Sequence, residues 1–510
     1  MTSSMPPFLR AVAVLLATTL FSFVGFPVAK ADDAVDVRSE LARFKKEFPK
    51  AKTAPERIAL IRALPDATDT RVIRTIIETL EKSLKAKKRL RKEYDAARKK
   101  LAPYLGKDLL EAEWQTRDSL EADAAEIAAE LVAEDDVALA FVDMLVAQES
   151  DEGVEFLADW ALRNRSWRIR AEVVQALGRM HHDKARETVV IATEDRDPRV
   201  RQIAVEAAGR KGGKDVEEYL ILRLSDDEWP VRAAAIEALV KRKSEICIGP
   251  LILRMGEENG RLRDDCAKAL EKLTGQTFGL NVMAWRKWWA ENHLEPLDEA
   301  ASIPRMTREA VSFHDIKTSS QAMMFVVDIS DSMNEAASSS ELTDSGVGVR
   351  DGVERSKFDV MMKELIQSIS MLPPKAMFNL IVYNHEVTRW KDKMQPASKK
   401  MKNEALEYLF SVQPIGGTNV FDSLELAFES AGLGAQDRYY RPLVDTIYFL
   451  SDGAPSAGRF TDPTEILKHI DRMNRFRRVT VHSIGIGKLH DKAFMKRLAD
   501  AHGGRYVQRL

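Results

Sequence analysis

From residue 36 onward, apolar side chains recur with the period of amphipathic helices. Ile58, Leu60, Ile61 and Leu64 mark one face, and Val72, Ile73, Ile76, Ile77 and Leu80 mark another. Residues three and four apart share one side of a helix, so both runs predict buried helical stripes. Pro55 and Asp69 suit helix starts. Near residue 321 the pattern changes. Residues 323–327, 378–383, 446–450 and 479–485 are apolar runs of strand length, and amphipathic stretches at 358–371, 403–410, 420–430, 463–476 and 492–501 alternate with them. Strands apolar on both faces, alternating with helices, predict a mostly parallel, doubly wound α/β sheet covered on both sides. The chain therefore reads as multidomain, an all-α part followed by an α/β part.

Within the helical part an internal repeat stands out. Trp167-Arg-Ile-Arg170, Pro198-Arg-Val-Arg201, Trp229-Pro-Val-Arg232 and Gly260-Arg-Leu-Arg263 align at a step of 31 residues, and Ala176, Ala207, Ala238 and Ala269 keep the same step. A fixed period with helical apolar spacing inside it means stacked helix pairs, each burying its face against its neighbours. These segments resemble HEAT-like repeats over roughly 150–275. Asp197 before Pro198 predicts an N-cap with proline at the first helical position; Ser166 and Asn259 share that register, and Glu228 would cap poorly. The recurring arginine is expected to be a structural ladder between adjacent repeats; the competing reading is a ligand-binding stripe. Trp285, Trp288 and Trp289 fall in one short helix and are expected to seal the array's end. The resulting organisation is a leader at 1–31, a helical region at 32–135, a repeat array at 136–295, a linker at 296–320 and the α/β domain at 321–510.

Charge changes this picture locally. The formal net charge of −2 selects no nucleic-acid partner. Residues 82–100 are strongly basic and 111–136 acidic, which predicts a solvated helix whose charges pair along its surface or with the acidic stretch. Arg10, the apolar run 11–25 and Ala29-Lys30-Ala31 follow the order of a secretory signal. Export to periplasm, cell surface or medium is the expectation, with an uncleaved anchor as the alternative. Cys247 and Cys266 are the chain's two cysteines. Both lie in apolar helical patterns and read as buried free thiols, which leaves no disulfide scaffold and no cysteine-based zinc site.

Candidate chemistry is concentrated in the α/β part. Asp328-Ile-Ser330-Asp-Ser332 follows the first strand directly, Gly416-Gly417-Thr418 lies between helical stretches, and Leu450-Ser-Asp452-Gly453 closes a later strand. Ligands of open parallel sheets sit beyond the carboxyl ends of strands where strand order reverses. Two carboxylates brought together there repel unless a cation lies between them, and an oxygen set of low formal charge suits a hard divalent ion that keeps some water. The three segments, in this order and spacing, resemble the metal site of von Willebrand factor A domains, and the resemblance spans about 321–510. It implies a metal-ion-dependent adhesion site at Asp328, Ser330, Ser332, Thr418 and Asp452. The serines, and in one state Thr418, would contact the metal, and the aspartates would act largely through water. Mg²⁺ is the first expectation, with Mn²⁺ or Ca²⁺ as alternatives. Where the family usually has glycine, Asp331 stands here. Residues 334–355 form a long polar insertion beside the site, read either as a loop without set structure or as a specificity lid.

The resemblance implies an exported protein–protein interaction or adhesion module that binds a partner's carboxylate through the metal, with the repeats as scaffold or second surface. An alternative is a subunit of a metal-insertion or ATPase-driven complex, whose motor would be another chain because no phosphate-binding loop is present. A hydrolase is the least supported class, since no zinc-protease, nucleophile-elbow or Cys/His pattern occurs. No catalytic residue is assigned, and the protein is not expected to be an enzyme. His181, His182, His385 and His482 have no evident catalytic partner.

Overall fold

A computed structural model describes residues 36–509 except 66–68, 105–109, 259, 294–296, 298–310, 314–315, 319, 321, 338–355, 432–443 and 488–489. The leader at 1–31, Asn259, most of the expected linker and the body of the 334–355 insertion lie outside the described residues. Among those described, no helix is long and apolar enough to cross a membrane.

The helical part begins with α1 (Val37–Glu47) and α2 (Ala54–Arg62), followed by two long helices, α3 (Thr70–Leu101) and α4 (Glu111–Ala147). The periodic residues Val72, Ile73, Ile76, Ile77 and Leu80 are fully buried on α3. The helix α4 runs unbroken through residue 135, where the sequence reading divides two regions, because its apolar spacing continues to Leu145. Lys87 pairs with Asp135 and Arg91 with Asp95, so part of the basic stretch is neutralised as expected.

The array then continues as α5 (Asp151–Arg163), α6 (Trp167–Leu177), α7 (Asp183–Ala192), α8 (Pro198–Ala208), α9 (Lys214–Leu222), α10 (Trp229–Arg242), α11 (Ile248–Glu257), α12 (Arg261–Thr274) and α13 (Val282–Asn292). Helices α6, α8, α10 and α12 stack in one row, as helix-pair repeats must. The repeating arginines form the structural ladder. Arg170 donates two bonds to Asp195 at 2.7 Å and one to the Asn164 carbonyl at 2.8 Å. Arg201 grips Asp226 at 2.7 and 2.8 Å and the Asp195 carbonyl at 3.0 Å. Arg232 reaches Glu258 and the Asp226 carbonyl, both at 2.7 Å. Arg263 donates to the Leu280 carbonyl at 3.1 Å.

A second period escaped the sequence reading. Asn164, Asp195 and Asp226 each accept from the backbone N–H two residues on, at 2.7, 2.8 and 3.0 Å. The same turn thus shapes each helix entry, and at Asp195 and Asp226 it also receives the preceding repeat's arginine. Asp197 caps α8 as expected and Glu228 makes no side-chain cap, but neither does Ser166. Trp285 is fully buried, packs edge-on against Phe278 and Trp288, and donates to the Gly279 carbonyl at 2.9 Å, sealing the array's end. Cys247 and Cys266 are buried free thiols.

After a short hairpin, β1 (Val311–Phe313) with β2 (Ile316–Thr318), the α/β part contains β3 (Ala322–Asp328), α14 (Lys357–Met371), β4 (Met377–Tyr383), β5 (Val387–Arg389), β6 (Gln395–Pro396), α15 (Lys399–Ser411), α16 (Val420–Ser430), β7 (Thr446–Ser451), α17 (Pro463–Asn474), β8 (Thr480–Ile486), α18 (Lys492–Ala501) and β9 (Tyr506–Arg509). The sheet order is β5-β4-β3-β7-β8-β9, with β6 also on β4; the β4-β3-β7-β8-β9 pairings are parallel, and β5 and β6 run antiparallel. Apolar clusters cover both faces, which is the doubly wound architecture expected. Strand order reverses between β3 and β7, so the crevice lies at their carboxyl ends.

The two parts are clasped together. Ala124 and Ala128 of α4 and Tyr94 of α3 belong to the same core as Phe421, Leu424 and Phe428 of α16. At the other end of the sheet, Arg475 donates to Gln175 at 2.6 Å, and Arg478 pairs with Glu206 at 2.5 Å and with Glu237. Arg478 holds a left-handed φ of +50° in doing so.

Candidate functional site

Parallel pairing fixes the first contact. Val327 stands opposite Leu450 in the β3–β7 register, so Asp328 and Ser451 emerge side by side. Asp328 is completely buried. One of its oxygens accepts from the Ser330 N–H at 2.9 Å and the other from the Ser451 hydroxyl at 2.8 Å. A 3₁₀ turn, Asp331–Asn334, then folds the chain back and sets the Ser332 hydroxyl 3.1 Å from that of Ser330. Ser332 in turn donates to Asp452 Oδ1 at 2.7 Å.

The Thr418 segment is stitched to both neighbours through its backbone. Asp331 N–H donates to the Gly416 carbonyl at 2.9 Å, and Ile415 N–H to the Ile329 carbonyl at 2.9 Å. Thr418 N–H donates to the Ser456 hydroxyl at 2.9 Å, and the Thr418 carbonyl accepts from Ser456 N–H at 3.0 Å. Gly416 has φ of +78°, and a Cβ there would meet His385 Nδ1 at 2.0 Å, so the site requires glycine at this position. A Cβ on Gly453 would stand 3.5 Å from Thr418 Oγ1 and 3.8 Å from Ser332 Oγ. The two hydroxyls therefore flank one small space left by glycine. All five residues singled out in the sequence are brought to this crevice, and Asp328, Ser330, Thr418 and Asp452 are buried. Asp331 is exposed at the rim.

Among the described residues, Asp328 has no cation paired with it. Burial, followed by the neighbouring Asp452 charge, pushes the Asp328 carboxyl up to about 6, against the opposing bonds from Ser330 and Ser451. Tyr383 lies beside it, donates its hydroxyl to the Leu450 carbonyl at 2.7 Å, and is driven well up by burial and the Asp328 charge. Among the described residues no group of three His, Cys, Asp or Glu side chains converges. The donor set is two carboxylates and three hydroxyls, a chemistry that fits a hard divalent cation and not a soft one.

Two contributors went unread in the sequence. Ser451 was hidden as an ordinary strand-end residue. Lys357, buried, donates to Asp452 Oδ2 at 3.1 Å and to Glu335 at 2.6 Å. Its only sequence signal was Ser356 and Asp359, a capping box placing Lys357 at a helix start. Two of the histidines take structural places. His182 caps α7 by accepting from Lys184 N–H at 3.0 Å, and buried His482 accepts from Arg505 N–H at 3.0 Å.

Comparison with known proteins agrees with the geometry. Residues 342–508 match the von Willebrand factor type A domain family, and residues 187–271 match HEAT repeats. The first match begins after the Asp328–Ser332 segment, so the structure is what joins that segment to it. Inter-alpha-trypsin inhibitor heavy chain H4 from Homo sapiens is 32% identical over 149 residues, which are 29% of this chain and 16% of that protein. Heavy chain H2 from Sus scrofa is 29% identical over 160 residues, 30% of this chain and 17% of that protein. The chain thus spans a small fraction of these relatives' length. Among solved structures, a von Willebrand factor type A protein from Catenulispora acidiphila aligns with TM-score 0.28 and 17% identity, over 38% of this chain and 39% of that one. The C-terminal part of this chain is a von Willebrand factor type A domain, carried on an array of HEAT-like repeats.

Proposed function

We propose that the A domain binds a divalent cation, Mg²⁺ first, with Ser330, Ser332 and Thr418 as oxygen donors and Asp328 and Asp452 as the charges that hold it. The bound cation would supply an open coordination position for a carboxylate of a partner protein. The observation that carries this reading is the convergence of Ser330, Ser332 and Asp452 at 2.7–3.1 Å in a buried crevice where Asp328 lacks a compensating charge of its own. Ser451 and the Ser330 N–H hold Asp328 in place, and the stitched Gly416–Thr418 backbone presents the third hydroxyl. The role proposed for this site is recognition. The repeats hold the domain and offer a second surface. The secretory pattern in the first 31 residues supports export as the setting.

Calorimetric titration with Mg²⁺ tests the reading. The wild-type protein should bind one ion, and Asp328→Ala and the Ser330→Ala/Ser332→Ala double variant should lose it. An unchanged isotherm in Asp328→Ala rejects the site. A partner retained equally in EDTA rejects the carboxylate-through-metal mode.

A further inference from the structure

The surroundings of Lys357 do not follow from a metal-site plan of carboxylates and hydroxyls. The residue is 5% exposed, and it is the first residue of α14, where the helix end favours anions over cations. A buried ammonium at such a position requires compensation, and it has two carboxylates. Its Nζ lies 3.1 Å from Asp452 Oδ2 and 2.6 Å from Glu335 Oε2. Room for the side chain is built in. Gly487 has φ of +72°, and a Cβ there would come within 2.9 Å of Lys357 Cε. The backbone repeats the link, since Lys357 N–H donates to the Glu335 carbonyl at 2.9 Å and Ala336 bridges Ser356.

Resting on the metal reading above, we propose that Lys357 is a positioning and specificity-determining residue that sets the charge of the site. By occupying Asp452 Oδ2 it turns the other oxygen toward the Ser332 hydroxyl. Two buried carboxylates would cancel the charge of a divalent ion and leave a loaded site with little attraction for an anion. Lys357 restores a positive excess, so the loaded site draws a carboxylate, and the cost is weaker holding of the cation. Asp331 and Glu335 stand exposed at the rim, where water and salt screen them. Glu335 tempers Lys357 and sits at the base of the 334–355 insertion.

Titration with Mn²⁺ alone, on wild type, Lys357→Met and Glu335→Gln, separates the outcomes. Lys357→Met should bind Mn²⁺ about tenfold tighter, the order of effect of one unit charge near a divalent ion in a well-solvated dielectric. Glu335→Gln, at an exposed position that leaves the fold alone, should bind it more weakly than wild type. Acetate added to the Mn²⁺-loaded proteins, followed by water-proton relaxation, should displace bound water at lower concentration in wild type than in Lys357→Met. If wild type binds Mn²⁺ and Lys357→Met binds no tighter, the charge-setting role is overturned and the metal site stands. If Lys357→Met does not fold, an affinity in Glu335→Gln equal to or above wild type overturns it. If wild type does not bind Mn²⁺, the metal reading fails and this inference fails with it.

Discussion

The Tyr94 hydroxyl, on α3 of the helical part, donates to Glu425 of the A domain at 2.6 Å, with both residues buried. Arg459, seven residues past Asp452, pairs with the same carboxylate and with Asp422 at 2.5 Å, and Asp422 N–H is capped by Asn419, the residue after Thr418. Two of the three segments of the candidate site therefore run directly into the contact that joins the domains.

This network predicts unequal costs. Tyr94→Phe leaves Glu425 paired with Arg459 and should destabilise the protein by about 2 kcal/mol, as loss of a hydrogen bond to a charged group does. Arg459→Ala takes the nearest charged partner from a buried carboxylate, leaving Arg98 at 3.5 Å, and should cost about 3 kcal/mol. Urea unfolding checks both. Burial alone would raise the Glu425 carboxyl, but the Arg459 and Arg98 guanidiniums outweigh it and hold it well below its ordinary 4.5. A depressed carboxylate stabilises the fold above its ordinary value, so this contribution should fade as pH falls below 4.5, and Arg459→Ala should flatten that acid limb.

Asp328 should behave in the opposite sense. Its carboxyl is raised from 3.8 to about 6 by burial and the Asp452 charge, so protonation favours the fold. The stability it allows is complete below 3.8 and is lost as pH rises through about 6. In EDTA at neutral pH, Asp328→Asn should therefore raise stability by about 1 kcal/mol, relief of a buried charge less one weakened hydrogen bond. Thermal melts measure this. The same variant should lose Mg²⁺ binding, so stability and function move apart.

The arginine ladder should be graded along the array. Arg201→Ala removes a bidentate pair with Asp226 and a carbonyl bond, and should cost about 3 kcal/mol. Arg263→Ala, whose one carbonyl bond is 3.1 Å long, should cost about 1 kcal/mol. In a double-mutant cycle, Arg201→Ala with Asp226→Ala should fall short of additivity.

At the end of the array, Trp285→Ala should cost about 3–5 kcal/mol by opening a cavity in the sealing core. Met283→Ala, 70% exposed on the same helix, should change stability by less than about 0.5 kcal/mol. Chemical denaturation measures both.

What the sequence by itself determined was whatever depends on near neighbours. The apolar runs at 323–327, 378–383, 446–450 and 479–485 became β3, β4, β7 and β8, because a strand buried on both faces must be apolar throughout. The step of 31 residues exposed the arginine ladder, and the order of Asp328, Thr418 and Asp452 along the chain marked the crevice. Short β5, β6 and β9 were missed, since edge strands of two to four residues carry too little periodicity to register. Tertiary structure alone decided that α3 and α4 extend past the array to dock on α16, that Asp195 and Asp226 serve a turn and an arginine at once, and that Lys357 reaches Asp452 across 95 positions of chain. Those are pairings between residues far apart in sequence. Their energies depend on burial and on who faces whom, and neither is written in the spacing of one residue from the next.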